Sequence, residues 1–519
     1  MCVLYATLIF PFYRSNLRHL PTPPGNFLLG HTLSFVLASS ANALPLRFMR
    51  SALDAPLIRI LHAFGSEWVL VNGVEATREI WQSNVRAFKR PDFFKKAIVE
   101  IAGVGMVGLE GEAHRVERRA FAVPFSLGGI KKLVPLFNAK AAQLSSRIKT
   151  LVRRSNGEPI DAHGIFTKTA LEVVGLATLG VEVDSLSIGG YTFADLYHRI
   201  LDPPPLGQII FAINLFIPIR HWLPLQENRK FVQANQCLSI MLQRVISERK
   251  HEICALSRNA GVEDNSQTKD DRTDFLSFMI RENQWSEEEI LGHLLSFMSA
   301  GHDTSALALT WATLTLCLHP SMQSRLRAEI QANLPANGRP SYTNLESLPF
   351  LNAFIKEVLR CFAPITFNPR TPINDTFVCG TLIPAGTPLL LSPQVLNFNP
   401  TIWGPDAETF DPERWMPGDE RADMFPLSRD PFAMASFGYG PRICIGKAFA
   451  VAEIKSVIVE MVSKFEVVRG WDERGKKMMG RDLVKSVGDE DVFGGVEVKN
   501  FMTLKPKEGV WVNFRALDD

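Results

Sequence analysis

At 519 residues the chain is long enough for about three ordinary domains, yet no Gly/Ser- or Pro-rich linker divides its middle, and 46% hydrophobic and 10% aromatic residues suffice for one large core. A formal charge of +2 gives no general electrostatic reason to bind nucleic acid. Seven scattered cysteines, without a Cys-x-x-Cys pair or a histidine cluster, argue against a zinc site or a disulfide framework and fit a reducing compartment.

Residues 2–13 are apolar, but Pro11 interrupts them. As a helix they would reach about 18 Å, against roughly 30 Å of membrane hydrocarbon. Arg14, Arg18 and His19 follow, then Pro21-Thr-Pro-Pro-Gly25. No basic lead and no small-residue cleavage site mark a secretory signal. Short strands are expected at 57–61 and 68–71, then an Asn72-Gly73 turn and a helix to about Ser83. From Gly111 to roughly Leu334 the 3.6-residue periodicity predicts helix almost throughout, and 257–274 reads as a polar surface loop. Within that region Ser286-Glu-Glu-Glu starts a long apolar helix that runs to Leu318 and stops at His319-Pro320. Its span is about 50 Å, enough to cross a domain. Strands return at 377–383, 387–392, 465–468 and 510–514, and the charged, Gly-rich 476–495 reads as a solvated loop. The layout is mainly α with a small peripheral β-sheet.

The most informative stretch is Phe437-Gly-Tyr-Gly-Pro-Arg-Ile-Cys-Ile-Gly446. Alone, a cysteine in an apolar stretch is usually a small core residue. Here Cys444 has the surroundings that a thiolate on haem iron needs, with donors and positive potential close by. Gly440 and Gly446 would let backbone N–H groups curl towards sulfur and a cofactor approach. Arg442 suits a carboxylate such as a haem propionate. The helix predicted from Lys447 would point its positive end at the sulfur.

With Phe437, Gly440, Arg442, Cys444 and Gly446 in register, this segment resembles the haem-binding loop of the cytochrome P450 monooxygenases, Phe-x-x-Gly-x-Arg-x-Cys-x-Gly. Three further segments fit the family in chain order. Ala300-Gly-His-Asp-Thr-Ser305 interrupts the long helix and resembles the family's acid–alcohol motif, which makes Asp303 and Thr304 the expected catalytic pair. A Thr hydroxyl in such a place can bond to a carbonyl one turn back and bend the helix. Lys356-Glu-Val-Leu-Arg360 resembles the Glu-x-x-Arg signature, and Pro412-Glu-Arg-Trp415 matches Pro-Glu-Arg-Phe except for its tryptophan. The resemblance therefore implies a buried Glu357–Arg360–Arg414 network beneath Cys444.

The same resemblance implies the cytochrome P450 fold and haem b with Cys444 as axial ligand. Arg442, Arg370 and Arg118 become propionate partners. His114 stands where the family commonly has tryptophan, and it can still donate to a carboxylate. Electrons are expected from NADPH through a flavin-bearing cytochrome P450 reductase, with cytochrome b5 as a second donor and Arg442, Lys447 and Lys455 as basic docking contacts. Val104, Met106, Phe297, Ala300, Gly301, Ile365, Phe367, Phe501 and Met502 are the expected pocket residues, and their apolar character implies a lipophilic substrate. By analogy with fungal members this is a secondary-metabolite intermediate such as a terpenoid or polyketide. Residues 1–20 resemble a shortened microsomal anchor, 21–25 its proline hinge and 26–519 the catalytic domain, on the endoplasmic reticulum facing the cytosol. The apolar 206–225 would dip into the membrane. Two other readings are a haem sensor or carrier without turnover, and a relative that rearranges or dehydrates its substrate. The Asp303–Thr304 pair favours oxygen activation over both.

Overall fold

A computed structural model describes residues 5–26, 28–38, 43–220, 222–260, 272–334, 339–470, 496–500 and 502–517. Tyr5–Arg14 forms a wide helical segment that includes Pro11, whose carbonyl accepts from Arg59 Nη2 at 2.6 Å. No helix among the described residues is long and apolar enough to cross a membrane. Strands β1 (Leu57–Leu61) and β2 (Glu67–Val71) pair antiparallel, with β3 (Leu389–Leu391) parallel to β2.

Helices α1 (Asp92–Ala102), α2 (Gly111–Ala120), α3 (Leu127–Arg154) and α4 (Ala162–Leu179) follow β2 in the chain. They are followed by α5 (Pro205–Asn214), α6 (Gln226–Ala260), the long α7 (Glu287–Leu318) and α8 (Pro349–Cys361). The region from 111 to 334 is not wholly helical. Ile160–Asp161 pairs with the last strand, and a hairpin joins Ser187–Ile188 to Tyr191–Thr192 across Gly189-Gly190. Helix α6 runs on to Ala260, past the expected start of the surface loop, and 261–271 and 476–495 lie outside the described residues.

The start of α7 follows from its sequence. Ser286 Oγ accepts from Glu289 N–H while Glu289 Oε2 accepts from Ser286 N–H, a reciprocal cap that satisfies two helix-end donors. Helix α7 is apolar nearly all round because it is covered on every side, with Trp311 and its neighbours at zero exposure. Helix α9 (Lys447–Lys464) packs across it and leads into β4 (Phe465–Arg469). The hairpin of β5 (Val498–Asn500) and β6 (Leu504–Pro506) then precedes β7 (Trp511–Ala516), which pairs with β4. The expected strand at 377–383 is a hairpin, Thr376–Val378 with Thr381–Ile383, turned at Cys379-Gly380.

Candidate active site

A cavity of about 370 Å³ lies between α7 and the segment 435–446. Its walls are mostly apolar, and they include Met106, Phe297, Ala300, Gly301, Ile365 and Phe367. Met502 also faces it, Phe501 lies outside the described residues, and Val104 is 65% exposed and does not line it. The reason is a close backbone crossing. A Cβ on Gly292 would sit 2.2 Å from the Val104 carbonyl oxygen, so the loop lies flat on α7 with Val104 turned outwards. Met106 is tethered instead, its N–H donating to His293 Nδ1 at 3.2 Å while His293 Nε2 faces Glu117 at 3.2 Å. Helix α1 contributes Phe94, Ile98 and Ile101, which the sequence motifs do not signal.

Cys444 lies deep in the fold, and its accessible surface opens into this cavity. Its N–H donates to the Phe437 carbonyl at 2.9 Å, closing the loop on itself. Burial raises the thiol, opposed by the Gly446 N–H, Arg118 and Lys447. Gly440 is required for a reason other than approach to sulfur: its φ is +65° and a Cβ there would lie 1.9 Å from the Trp81 carbonyl oxygen. At Gly446 a Cβ would meet its nearest protein atoms, Cys444 Sγ and Phe125, at 3.9 Å.

Beneath the loop, Glu357 and Arg360 have zero exposure, with Arg360 Nε and Nη2 at 2.8 and 2.7 Å from the carboxylate. Arg414 joins more loosely, Nε to Oε1 at 3.6 Å, and is held mainly by the Trp403 and Asp406 carbonyls and the Asp406 carboxylate. Burial would raise Glu357, but Arg360 and Arg414 prevail and hold it below the usual carboxylate range. Trp415 is not a neutral departure: its indole N–H donates to Glu357 Oε2 at 2.9 Å. The link to the cysteine loop runs through Asn397, which donates to the Arg360 carbonyl at 2.8 Å and to Ser436 Oγ at 3.0 Å and accepts from Ala435 N–H.

On the other side, Thr304 Oγ1 donates to the Ala300 carbonyl at 2.8 Å. Asp303 is buried and paired, 2.7 Å from Lys505 Nζ on β6, and accepts from Thr503 Oγ1 at 2.8 Å. Burial works to raise its carboxyl, and Lys505 more than reverses this. No spacing rule could foretell that partner, 202 residues away by the numbering. The pair pins the C-terminal hairpin to α7. Lys505→Met is expected to cost about 3 kcal/mol in denaturant unfolding at neutral pH, since it strands a buried charge. A depressed carboxyl contributes stability above its unfolded value and loses it as pH falls, so the gap from wild type should narrow in acid.

Four nitrogen-bearing side chains line the rim, Arg90, His114, Arg118 and Arg442, and Arg370 lies behind them, its Nη1 donating to Asn368 Oδ1 at 2.7 Å and to the Pro369 carbonyl at 2.9 Å. Glu110 is the carboxylate among them, taking Arg90 at 2.7 Å and Arg442 at 2.5 Å. Burial and the surrounding arginines push His114 down to about 3, and burial with Arg90 brings Arg370 down to about 9. Such a cluster is suited to a dianionic ligand.

The cytochrome P450 family model matches residues 55–485. This chain belongs to the cytochrome P450 family. It is 29% identical to cytochrome P450 monooxygenase sphH of Aspergillus fumigatus over 99% of this chain and 91% of that one. It is 28% identical to cytochrome P450 monooxygenase FSL4 of Gibberella zeae over the same shares. Against cytochrome P450 monooxygenase ALT8 of Alternaria alternata identity is 27%, over 98% of this chain and 92% of that one. The chain is thus an oxidoreductase of the monooxygenase class with the mainly α P450 fold.

Cytochromes P450 carry haem on a cysteine thiolate, and the residues present fit that group. Cys444 opens into the cavity, and the rim supplies cations in excess of carboxylate, including a buried Arg90 Nε without a hydrogen-bond partner among the described residues. Arg90 has no motif around it, so sequence reading missed it. Two expected docking contacts are corrected. Arg442 is turned inwards to Leu109 and Glu110, and Lys455 is buried against Glu346 at 2.6 Å. Lys447 stays exposed, over the Phe437 ring.

Proposed function

We propose that this monooxygenase inserts one oxygen atom from O₂ into a lipophilic secondary-metabolite intermediate such as a terpenoid or polyketide, by RH + O₂ + 2e⁻ + 2H⁺ → ROH + H₂O. The observation that carries the reading is that Cys444 and Thr304 open onto one largely apolar cavity with a cationic rim. Bound haem would supply the activation of dioxygen. Cys444 is assigned as its ligand, Arg90, His114, Arg118, Arg370 and Arg442 as the binders of its carboxylates, and Phe437 and Gly446 as the residues flanking it. Thr304 Oγ1 holds a proton at the cavity wall, and Asp303, fixed by Lys505, positions that turn of α7. The apolar wall excludes water and orients substrate by shape.

Electrons would come from NADPH through a flavoprotein reductase, with cytochrome b5 as a second donor. The exposed Ile209, Phe216, Ile217 and Trp222 around the end of α5, with Phe12 and Tyr13, support a membrane-facing side and placement on the endoplasmic reticulum facing the cytosol. The test is a carbon monoxide difference spectrum of the reduced protein, followed by a spin-state screen of terpenoids and polyketides. A thiolate-type band with spin-state shifts is expected; a band typical of histidine ligation would overturn the assignment of Cys444. With a hit in hand, Thr304→Ala is expected to raise peroxide released per NADPH by about 10-fold, a change in partitioning smaller than the roughly 10²- to 10⁴-fold of a wholly lost proton donor. Unchanged coupling would refute the role of its hydroxyl.

A further inference from the structure

The segment 102–106, which leads out of α1 along the cavity wall, is stitched to one turn of α7 at successive points. Ser296 Oγ donates to the Ala102 carbonyl at 3.0 Å. Gly105 and Gly292 then meet backbone to backbone: a Cβ on Gly105 would lie 2.2 Å from the Gly292 carbonyl oxygen and 2.3 Å from Ser296 Oγ. One residue on, the Met106 N–H donates to His293 Nδ1 at 3.2 Å. Farther along the same loop Arg442 Nη1 donates to the Leu109 carbonyl at 2.7 Å, so the loop is held at both ends. Ala102, Met106 and Val107 line the cavity, and His293 stands behind Met106.

A backbone N–H can only donate, so Nδ1 presents its lone pair to Met106 and the ring proton sits on Nε2. Nε2 faces Glu117 Oε2 at 3.2 Å, and that oxygen also accepts from the Trp285 indole N–H at 2.7 Å. Phe121 meets the imidazole edge to face with centroids 4.9 Å apart, and Phe297 stacks on it at 6.2 Å. Partners on every side therefore fix the ring. Burial pushes His293 down to about 4, which keeps Nδ1 an acceptor at neutral pH. Met106 is itself buried, so losing this acceptor would leave its N–H unsatisfied.

We infer that His293 is a positioning residue of this monooxygenase: by holding the Met106 N–H it fixes the wall that decides which part of a lipophilic substrate meets the reacting side of the cavity. The inference rests on the monooxygenase reading above. An apolar cavity offers few polar anchors, so the orientation of its ligand depends on how far the walls yield. A wall tied down through its backbone rejects shapes that would displace Met106 or Val107 and holds an accepted one in a single pose.

The test uses haem-loaded wild type, His293→Phe, His293→Asn and Gly105→Ala, with imidazole and 4-phenylimidazole as spectral probes. Imidazole reports the iron alone, whereas the phenyl ring of the larger probe must fit against the wall. His293→Phe keeps an aromatic ring and removes the acceptor, His293→Asn offers an amide oxygen in place of Nδ1, and Gly105→Ala lifts the loop without touching His293. Affinity for 4-phenylimidazole is expected to fall about 10-fold in His293→Phe and Gly105→Ala, the scale of one lost hydrogen bond, with imidazole affinity unchanged. His293→Asn should return to within about threefold of wild type. Amide exchange over residues 102–107 should quicken by about 10-fold in the two disrupted variants and not in His293→Asn. With a substrate from the spin-state screen, His293→Phe should widen the product distribution and His293→Asn restore it. Unchanged exchange or product distribution in His293→Phe, equal weakening of both probes, or no recovery in His293→Asn would each overturn the inference. Should His293→Phe not fold, Gly105→Ala set against His293→Asn decides by the same readouts. If imidazole gives wild type no red-shifted spectrum of a nitrogen-ligated haem thiolate, the parent reading fails instead.

Discussion

Glu357→Ala is expected to yield protein that neither holds haem nor folds stably, losing about 5 kcal/mol, the upper end for breaking a buried ion pair. Arg360 would keep its charge at zero exposure, with bonds left only to the Asn397, Ala407 and Thr409 carbonyls and the Cys361 sulfur. The Asp411 N–H and the Trp415 indole would lose their acceptor as well. The shift reaches the cofactor side through Asn397 and Ser436, which tie the Arg360 backbone to the loop before Cys444. Denaturant unfolding and the haem-to-protein absorbance ratio check both parts. Normal haem content in this variant would show that the network does not hold the loop. Trp415→Phe removes one donor and should cost about 1 kcal/mol with haem retained.

Cys444→Ser should abolish the thiolate-type carbon monoxide band while leaving the apo-protein fold intact. The substitution keeps the side chain's size, and the loop is closed by the Cys444 backbone N–H rather than by its sulfur. Loss of monooxygenation is expected to exceed about 10³-fold, the scale on which removing an essential group of a catalytic unit acts. Circular dichroism separates a missing ligand from a missing fold. A retained thiolate-type band would overturn Cys444 as the ligand, since no other cysteine among the described residues lines the cavity.

The parts of this site that are legible in sequence are local. The ten-residue cysteine segment, the capped start of α7, and Glu357 three residues before Arg360 each put their chemistry within a few positions. What was not legible is built from partners far apart in the chain. Lys505 meets Asp303 because a C-terminal hairpin folds back on α7, and Arg90 joins Arg442 through Glu110. Asn397 carries no motif, yet it is the relay between network and loop. Val104 was misplaced because an alternating apolar loop does not reveal which side chains face inwards, whereas the crossing at Gly292 does. The same holds for Trp415, where a substitution that looks conservative by size brings a new donor.

The rim cluster has a consequence for how the molecule comes together. Arg90, Arg118 and Arg442 line the rim with Arg370 behind them, from four separate stretches of chain, and Glu110 is the carboxylate among them. The polypeptide alone brings like charges together there, so the joint between its N-terminal and C-terminal parts is electrostatically incomplete. A dianionic ligand seated at the rim would act as a mortar between those parts, adding its binding free energy to the stability of a chain already folded without it. Thermal stability should then track haem occupancy, and holoprotein should resist proteolysis at segments far from the cysteine loop.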